Sequence, residues 1–220
     1  MKKLVLILFA GISFAAAHAQ GQVQFGIKGG LNLSTVTVSN GFNGYSYNTL
    51  PNFNAGVFLK IPVVRFFSVQ PEIYYSGQGF KSDDGSGGEY SEHVNYLNIP
   101  VLARFATRSG VYLETGPQLG IKLSAKDKEQ GVSTDISSAY NSADFSWVFG
   151  VGYKFPMSPV GIDFRYNAGI INVANDGYYG NSYGQYAVRN DVFQLGLTVV
   201  LWKSSGDEAQ PTNTYRRRYH

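Results

Sequence analysis

Apolar and polar residues alternate along most of the chain after residue 20. Between residues 24 and 34, Phe25, Ile27 and Leu31 fall on one face and Lys28 falls on the other. Strict alternation over several residues is typical of a β-strand with one apolar and one polar face. It predicts this strand and seven more of about ten residues each, in the segments 53–61, 67–76, 97–105, 111–122, 145–155, 160–168 and 193–201.

The links between these segments alternate between short and long. The short ones are 62–64, 107–110 and 156–159, whereas long polar links lie around 35–51, 80–92, 124–142 and 171–188. Short periplasmic turns and long extracellular loops are typical of bacterial outer-membrane barrels. The sequence therefore predicts an all-β fold, an eight-stranded antiparallel up-and-down transmembrane β-barrel.

Two prolines lie inside predicted strands. Pro100 is in the fourth strand and Pro117 is in the fifth. Because proline cannot donate a hydrogen bond to a neighbouring strand, we expect a bulge or a nearby strand end at each position.

The two ends of the chain differ from the middle. Met1-Lys2-Lys3 precedes an apolar run that ends in Ala17-His18-Ala19, and this layout predicts a cleaved secretory signal over residues 1–19. An uncleaved anchor is the alternative. Residues 20–202 then form one barrel domain, and the polar residues 203–220 form a disordered periplasmic tail.

Composition agrees with an exported β-protein. The chain has 26 Gly, 16 Tyr and 15 Phe but only 15% charged residues, and aromatic residues are enriched in strands. Glycine also suits turns and crowded barrel interiors. The absence of cysteine excludes a disulfide framework. A net charge of +3 gives no argument for nucleic acid as a partner.

Alternation alone does not say which face is outside. The polar face is rich in Gly, Ser, Asn and Gln, whereas water-facing strands usually carry more charge, so we expect the apolar face to contact lipid. A soluble lipocalin-like barrel, with its apolar face inside, is the alternative. The predicted lipid-facing residues are Ile27, Leu31, Val57, Leu59, Ile99, Val101, Leu113, Leu119, Trp147, Phe149, Val151, Ile162, Phe164, Leu195, Leu197 and Val199.

The opposite faces carry charges of both signs, which would lie in the lumen. Each unpaired buried charge lowers the stability of the fold by roughly several kcal/mol, so we expect these residues to form a paired network. The lumen of an eight-stranded barrel is just wide enough for side chains to fill it, which disfavours an open channel. The predicted network contains Lys28, Lys60, Glu72, Arg104, Glu114, Lys122, Lys154, Asp163 and Arg165.

The first strand carries a family resemblance. Its sequence, Phe25-Gly26-Ile27-Lys28-Gly29-Gly30-Leu31-Asn32-Leu33-Ser34, resembles that of the porin-family (PorT-like) outer-membrane β-barrel proteins of Bacteroidota. Similar stretches occur at 70–76, 96–102 and 116–117. The resemblance implies a Gram-negative outer membrane, membrane lipid as a partner, and an accessory part in protein secretion as one alternative function.

The last strand resembles the signal that the barrel-assembly machinery reads. Gln194, Gly196, Val199 and Leu201 match its spacing of a polar residue, a glycine and apolar residues. The resemblance implies that this machinery is a partner during biogenesis. The chain departs from the pattern because it continues past Trp202 into the polar tail.

Catalytic chemistry has little support in the sequence. We expect no catalytic, cofactor or metal site, and we interpret His93 as a solvated histidine of an outer loop. Tyrosine-rich loops form adaptable contacts, so an unknown extracellular ligand or protein is the expected partner. The leading interpretation is a non-enzymatic barrel with a structural or surface-interaction role, and a small porin or transport barrel is the alternative. The loop candidates are Tyr45, Tyr47, Tyr178, Tyr179, Tyr183 and Tyr186.

Overall fold

The computed structural model describes residues 21–39, 46–83, 89–129, 132–175 and 187–204. The described residues form nine strands and one short 3-10 helix at Ser137–Ala139. The strands are β1 (Gln24–Ser39), β2 (Ser46–Val64), β3 (Phe67–Asp83), β4 (Glu89–Ala106), β5 (Val111–Glu129), β6 (Val132–Asp135), β7 (Ala143–Lys154), β8 (Val160–Gly169) and β9 (Ala187–Lys203).

Eight of these strands close into a barrel. Each pairs antiparallel with its neighbours in the order β1-β2-β3-β4-β5-β7-β8-β9, and β9 pairs with β1 to complete the ring. The short strand β6 pairs with the far end of β5, beyond the part of β5 that pairs with β7. The prediction of an eight-stranded antiparallel barrel is confirmed.

The strands are longer than the sequence pattern predicted. They contain 10 to 19 residues in the barrel, and residues 46–51, 80–83, 89–92 and 124–129 lie in strands although they were expected in long links. Backbone pairing continues past the point where the apolar alternation stops, so the alternation marks only part of each strand. His93 consequently lies in β4, and the prediction that it belongs to a loop is wrong.

Pro100 and Pro117 do not form bulges. Pro100 stands in register with Gln118, and Pro117 stands in register with Trp147. The bridges of β4 with its neighbours are interrupted near these prolines, but the register is the same on either side of each interruption. A missing N–H removes a hydrogen bond without inserting a residue.

Real register shifts occur elsewhere. One shift lies between Pro62 and Val64 in the pairing of β2 with β3. Ile61, just before this shift, is fully buried although its pairing with Val69 keeps the register of the outward pair Val57–Ile73. Another shift lies between Asn95 and Tyr96 in the pairing of β4 with β5.

The barrel wall is apolar outside and polar inside. On β5 the outward residues from Val111 to Leu123 are apolar except for Thr115, and at about 3.3 Å per residue and a tilt of about 40° they span about 30 Å of barrel height. This apolar belt continues on the other strands, where Leu31, Phe149 and Leu195 are exposed.

Glycines make room inside the barrel for large side chains of neighbouring strands. A Cβ atom on Gly150 would lie 2.8 Å from Cγ of Glu114, and one on Gly152 would lie 2.2 Å from Cζ of Tyr112. A Cβ atom on Gly196 would lie 2.7 Å from Oδ1 of Asp163. The narrow lumen therefore holds its charged and aromatic residues because the adjacent positions carry no side chain.

One end of the lumen is closed by an apolar plug. The chain after β6 turns into the barrel, where Tyr140 bridges Ala174 in the segment after β8. These two segments pack against the ends of β4 and β5 that lie next to β6. Together they form the plug, whose buried residues are Val94, Tyr96, Ala125, Ala139, Tyr140 and Val173. Within the described residues, no helix is long and apolar enough to cross a membrane.

Candidate functional site

Arg165 is the centre of a charge network inside the barrel. It projects from β8, has no solvent exposure, and donates to both carboxylate oxygens of Glu72 on β3 at 2.7 and 2.8 Å. Its Nε donates to Oε1 of Glu114 on β5 at 2.5 Å and lies 3.2 Å from Oδ1 of Asp163. Because β3 and β8 stand opposite each other in the ring of eight strands, the Arg165–Glu72 pair crosses the whole lumen.

Two further cations complete this network. Nζ of Lys28 lies 3.0 Å from Oε2 of Glu72, and NH2 of Arg104 lies 3.0 Å from Oε2 of Glu114. The network thus pairs three cations with three carboxylates and is neutral as a whole. Buried ions tolerate the loss of water only when they are paired in this way.

Tyrosine rings cover both outer cations of the network. Nζ of Lys28 lies 4.3 Å from the centre of the Tyr74 ring, and the guanidinium of Arg104 lies 3.6 Å from the centre of the Tyr112 ring. Such contacts attract a cation to the face of the ring. They fill the remaining width of the lumen on either side of the carboxylates.

A layer of polar side chains, which includes the buried carboxylate of Asp144, lies between the charge network and the plug. Asn32 donates to Oγ of Ser76 at 3.0 Å and accepts from Gln194 at 3.0 Å. Nearer the plug, Asn190 on β9 donates to the hydroxyl of Tyr96 on β4 at 3.3 Å. Strands β4 and β9 are also opposite each other, so this contact crosses the lumen a second time.

The structure brings six of the nine predicted network residues together. These are Lys28, Glu72, Arg104, Glu114, Asp163 and Arg165.

The other three predicted network residues form no ion pair within the described part of the chain. Lys122 donates to the carbonyl oxygens of Ser137 and Tyr140 and so holds the plug. Lys154 donates to the carbonyl oxygen of Ser158 in the turn before β8. Lys60 is half-buried, and the charges that act on it are those of other cations, so its predicted place in a paired network is wrong.

The residues predicted to face lipid lie on the outer wall. Leu59, Ile99, Val101 and Val199 are half-buried there by their neighbours. The other twelve are exposed: Ile27, Leu31, Val57, Leu113, Leu119, Trp147, Phe149, Val151, Ile162, Phe164, Leu195 and Leu197.

The tyrosine-rich loop candidates lie almost entirely outside the described residues. Tyr47 belongs to β2, but its side chain is not described. Tyr45, Tyr178, Tyr179, Tyr183 and Tyr186 are not described at all. The proposed contact role of all six therefore stays a prediction.

Sequence reasoning missed the aromatic part of the lumen. Tyr74 and Tyr112 share the inward parity of the charged residues, and this parity could have identified them. The plug residues Tyr140 and Val173 had no such signal, because they lie in segments without strand alternation. Among the described residues, no group of three or more His, Asp or Glu side chains could hold a metal ion.

Comparisons with known proteins agree with this architecture. A family model described as "Outer membrane protein beta-barrel domain" matches residues 16–175. Neisserial surface protein A is 14% identical with a TM-score of 0.51, over 80% of this chain and 97% of its own. Ail, the attachment invasion locus protein of Yersinia pestis, is 17% identical with a TM-score of 0.46, over 82% and 99%. No curated protein matches the sequence.

The charge network predicts a large effect of replacing its central residue. Arg165→Met leaves Glu72 and Glu114 buried without their main partner, so the free energy of unfolding should fall by about 3–5 kcal/mol. Urea unfolding of the protein in lipid vesicles measures this change. Lys60→Met is the matched control and should not lower the value, because Lys60 is half-buried, has no ion pair among the described residues and is repelled by other cations. Equal losses in both variants would contradict the network.

Proposed function

The chain belongs to the family of outer membrane protein β-barrel domains, and from this premise we propose that it is a non-enzymatic barrel with a filled lumen and a structural or surface-interaction role. The family places it in the outer membrane of a Gram-negative bacterium. The observation that carries the proposal is the Arg165–Glu72 pair, which occupies the full width of the lumen with no solvent exposure.

The filled lumen argues against the small-porin alternative. A hydrated ion would have to displace the charge network, then the polar layer with the Asn190–Tyr96 contact, and then the apolar plug. Opening the network separates buried charges, and each broken ion pair requires a free energy of roughly several kcal/mol. In this proposal the lumen is therefore closed by side chains and does not conduct ions.

A solid interior leaves the ends of the barrel as its working surfaces. The short turns at one end contain few residues, as in Thr107–Gly110. The links at the other end contain Tyr45, Tyr178, Tyr179, Tyr183 and Tyr186. Tyrosine combines a large rigid contact area with a hydrogen-bonding group, which suits recognition of an extracellular ligand or protein.

The proposal also includes how the chain is exported and how the barrel is assembled. Residues 1–19 act as the cleaved signal, and the barrel-assembly machinery recognises β9 through Gln194, Gly196, Val199 and Leu201. Membrane lipid surrounds the apolar belt. The first-strand motif supports a place among the PorT-like proteins of Bacteroidota, and an accessory part in secretion is the alternative role that this placement suggests.

The filled lumen predicts the absence of a channel. Purified protein inserted into a planar bilayer should give no stable conductance, because no water-filled path crosses the charge network. Arg165→Ala should also give no stable conductance, because the polar layer with the Asn190–Tyr96 contact and the apolar plug still fill the lumen. Stable single-channel steps from the unaltered protein would favour the porin alternative.

The surface role predicts which end of the barrel faces outward. An epitope tag that replaces residues 178–186 should bind antibody on intact cells, because the long links are extracellular in the proposal. The same tag placed between Arg108 and Ser109, in a short turn, should bind antibody only after the outer membrane is permeabilised. The reverse pattern of labelling would refute this orientation.

A further inference from the structure

A polar cleft lies on the outside of the barrel wall at the loop end. It has a volume of about 330 Å³ and spans the outer faces of β2 to β6. Among the residues that the structure describes, its lining contains no carboxylate and consists of Asn52, Tyr75, His93, Asn95, Ser124, Lys126, Lys128 and Ser133. Neither the charge network nor the plug uses this surface.

The cleft begins where the apolar belt ends. On β5 the outward side chains are apolar up to Leu123, which is 55% exposed, and the next residue, Ser124, lines the cleft. Just below it, Leu97 stands in register with Tyr75 on one side and Ile121 on the other. A group bound in the cleft therefore lies at the level of the lipid headgroups, directly above the acyl chains.

The groups left free in the cleft are positive or are hydrogen-bond donors. Asn95 is fully engaged, since it accepts from the Tyr75 hydroxyl at 2.7 Å and donates to Oγ of Ser124 at 3.0 Å. Lys126 and Lys128 are exposed and form no ion pair with any described residue. Nδ2 of Asn52 is a buried donor that has no acceptor within the described part of the chain.

The described carboxylates near these lysines form no direct ion pair with them. Asp127 lies between them in sequence, and in an extended strand it points to the opposite face. Asp135 is in register with Lys126, but its carboxylate accepts the backbone N–H of Ser137 at 2.8 Å. Hydrogen bonds from Ser137, and more weakly the charges of Lys126 and Lys122, lower the pKa of Asp135 below its usual value, so this carboxylate stays ionised and offsets part of the Lys126 charge while remaining outside the cleft lining.

We propose that this cleft binds the anionic, phosphate-bearing headgroup of a lipid in the leaflet at the loop end. Two lysines supply charge-assisted hydrogen bonds to phosphate oxygens, and Asn52 supplies a donor that otherwise has no acceptor. The acyl chains of the same lipid continue down the apolar belt along Leu97 and Ile121. A lipid satisfies both surfaces at once, whereas a free anion uses only the cleft.

Native mass spectrometry of the full chain in a nonionic detergent tests this site. The probes are monophosphoryl lipid A, inorganic phosphate, and a zwitterionic phosphatidylcholine of similar chain length. We expect monophosphoryl lipid A to bind at least tenfold more tightly than either other probe. Equal retention of inorganic phosphate would overturn the assignment to a lipid, and equal binding of the zwitterionic lipid, whose phosphate is offset by its choline cation, would overturn the requirement for a net negative headgroup.

Variants distinguish specific binding in the cleft from non-specific electrostatic attraction of the lipid to the protein. Lys126→Gln with Lys128→Gln should weaken binding of the phosphorylated lipid by at least tenfold. Asn52→Leu leaves the net charge unchanged and should weaken it by at least threefold. The matched control, Arg108→Gln with Lys203→Gln, removes two exposed cations at the other end and should change it by less than twofold.

The outcome of these variants decides the proposal. Heat-modifiable migration in gels first confirms that each variant is folded. An equal loss of binding in the matched control, or unchanged binding in the lysine variant, would overturn the site.

Discussion

The structure depends on the neutrality of its buried charges. Arg165 reaches across the barrel and holds Glu72 and Glu114 together, while Lys28 and Arg104 compensate the remaining charge of those carboxylates. None of these ions has enough contact with water to be stable alone. Because their partners come from five different strands, the network ties strands across the lumen that share no backbone hydrogen bonds. Because the interior is largely polar outside the plug, most apolar side chains lie on the outer wall, and the outer wall must then contact lipid.

Much of this arrangement could be predicted from the sequence. The alternation of Ile27 with Lys28, or of Phe164 with Arg165, assigns opposite faces because side chains alternate along any strand. The charges on one face also had to be paired, and this requirement predicted the network. Neighbours across the lumen could not be predicted in the same way. Glu72 and Arg165 are 93 positions apart, and only closure of the ring brings them together.

The failures share a physical cause. Apolar and polar residues alternate along a strand only where its two faces have different surroundings. The alternation therefore could not show how far the strands continue beyond the apolar belt. It also did not predict that Ile61 is fully buried, although Ile61 keeps the register of Val57. The plug was missed because Tyr140 and Val173 are buried by segments that enter the lumen without regular structure. Lys60 has the parity of the network, but no described carboxylate lies within reach of it.

The central claim is that the apolar wall contacts lipid hydrocarbon. Trp147 tests it directly because it lies midway along the apolar belt, in register with Pro117 on β5 and Ala168 on β8. Trp202→Phe leaves it as the only tryptophan of the chain. In vesicles of lipids brominated near the middle of the acyl chains, its fluorescence should be strongly quenched, and aqueous acrylamide should have little effect. Quenching by acrylamide without quenching by the brominated lipids would contradict the account.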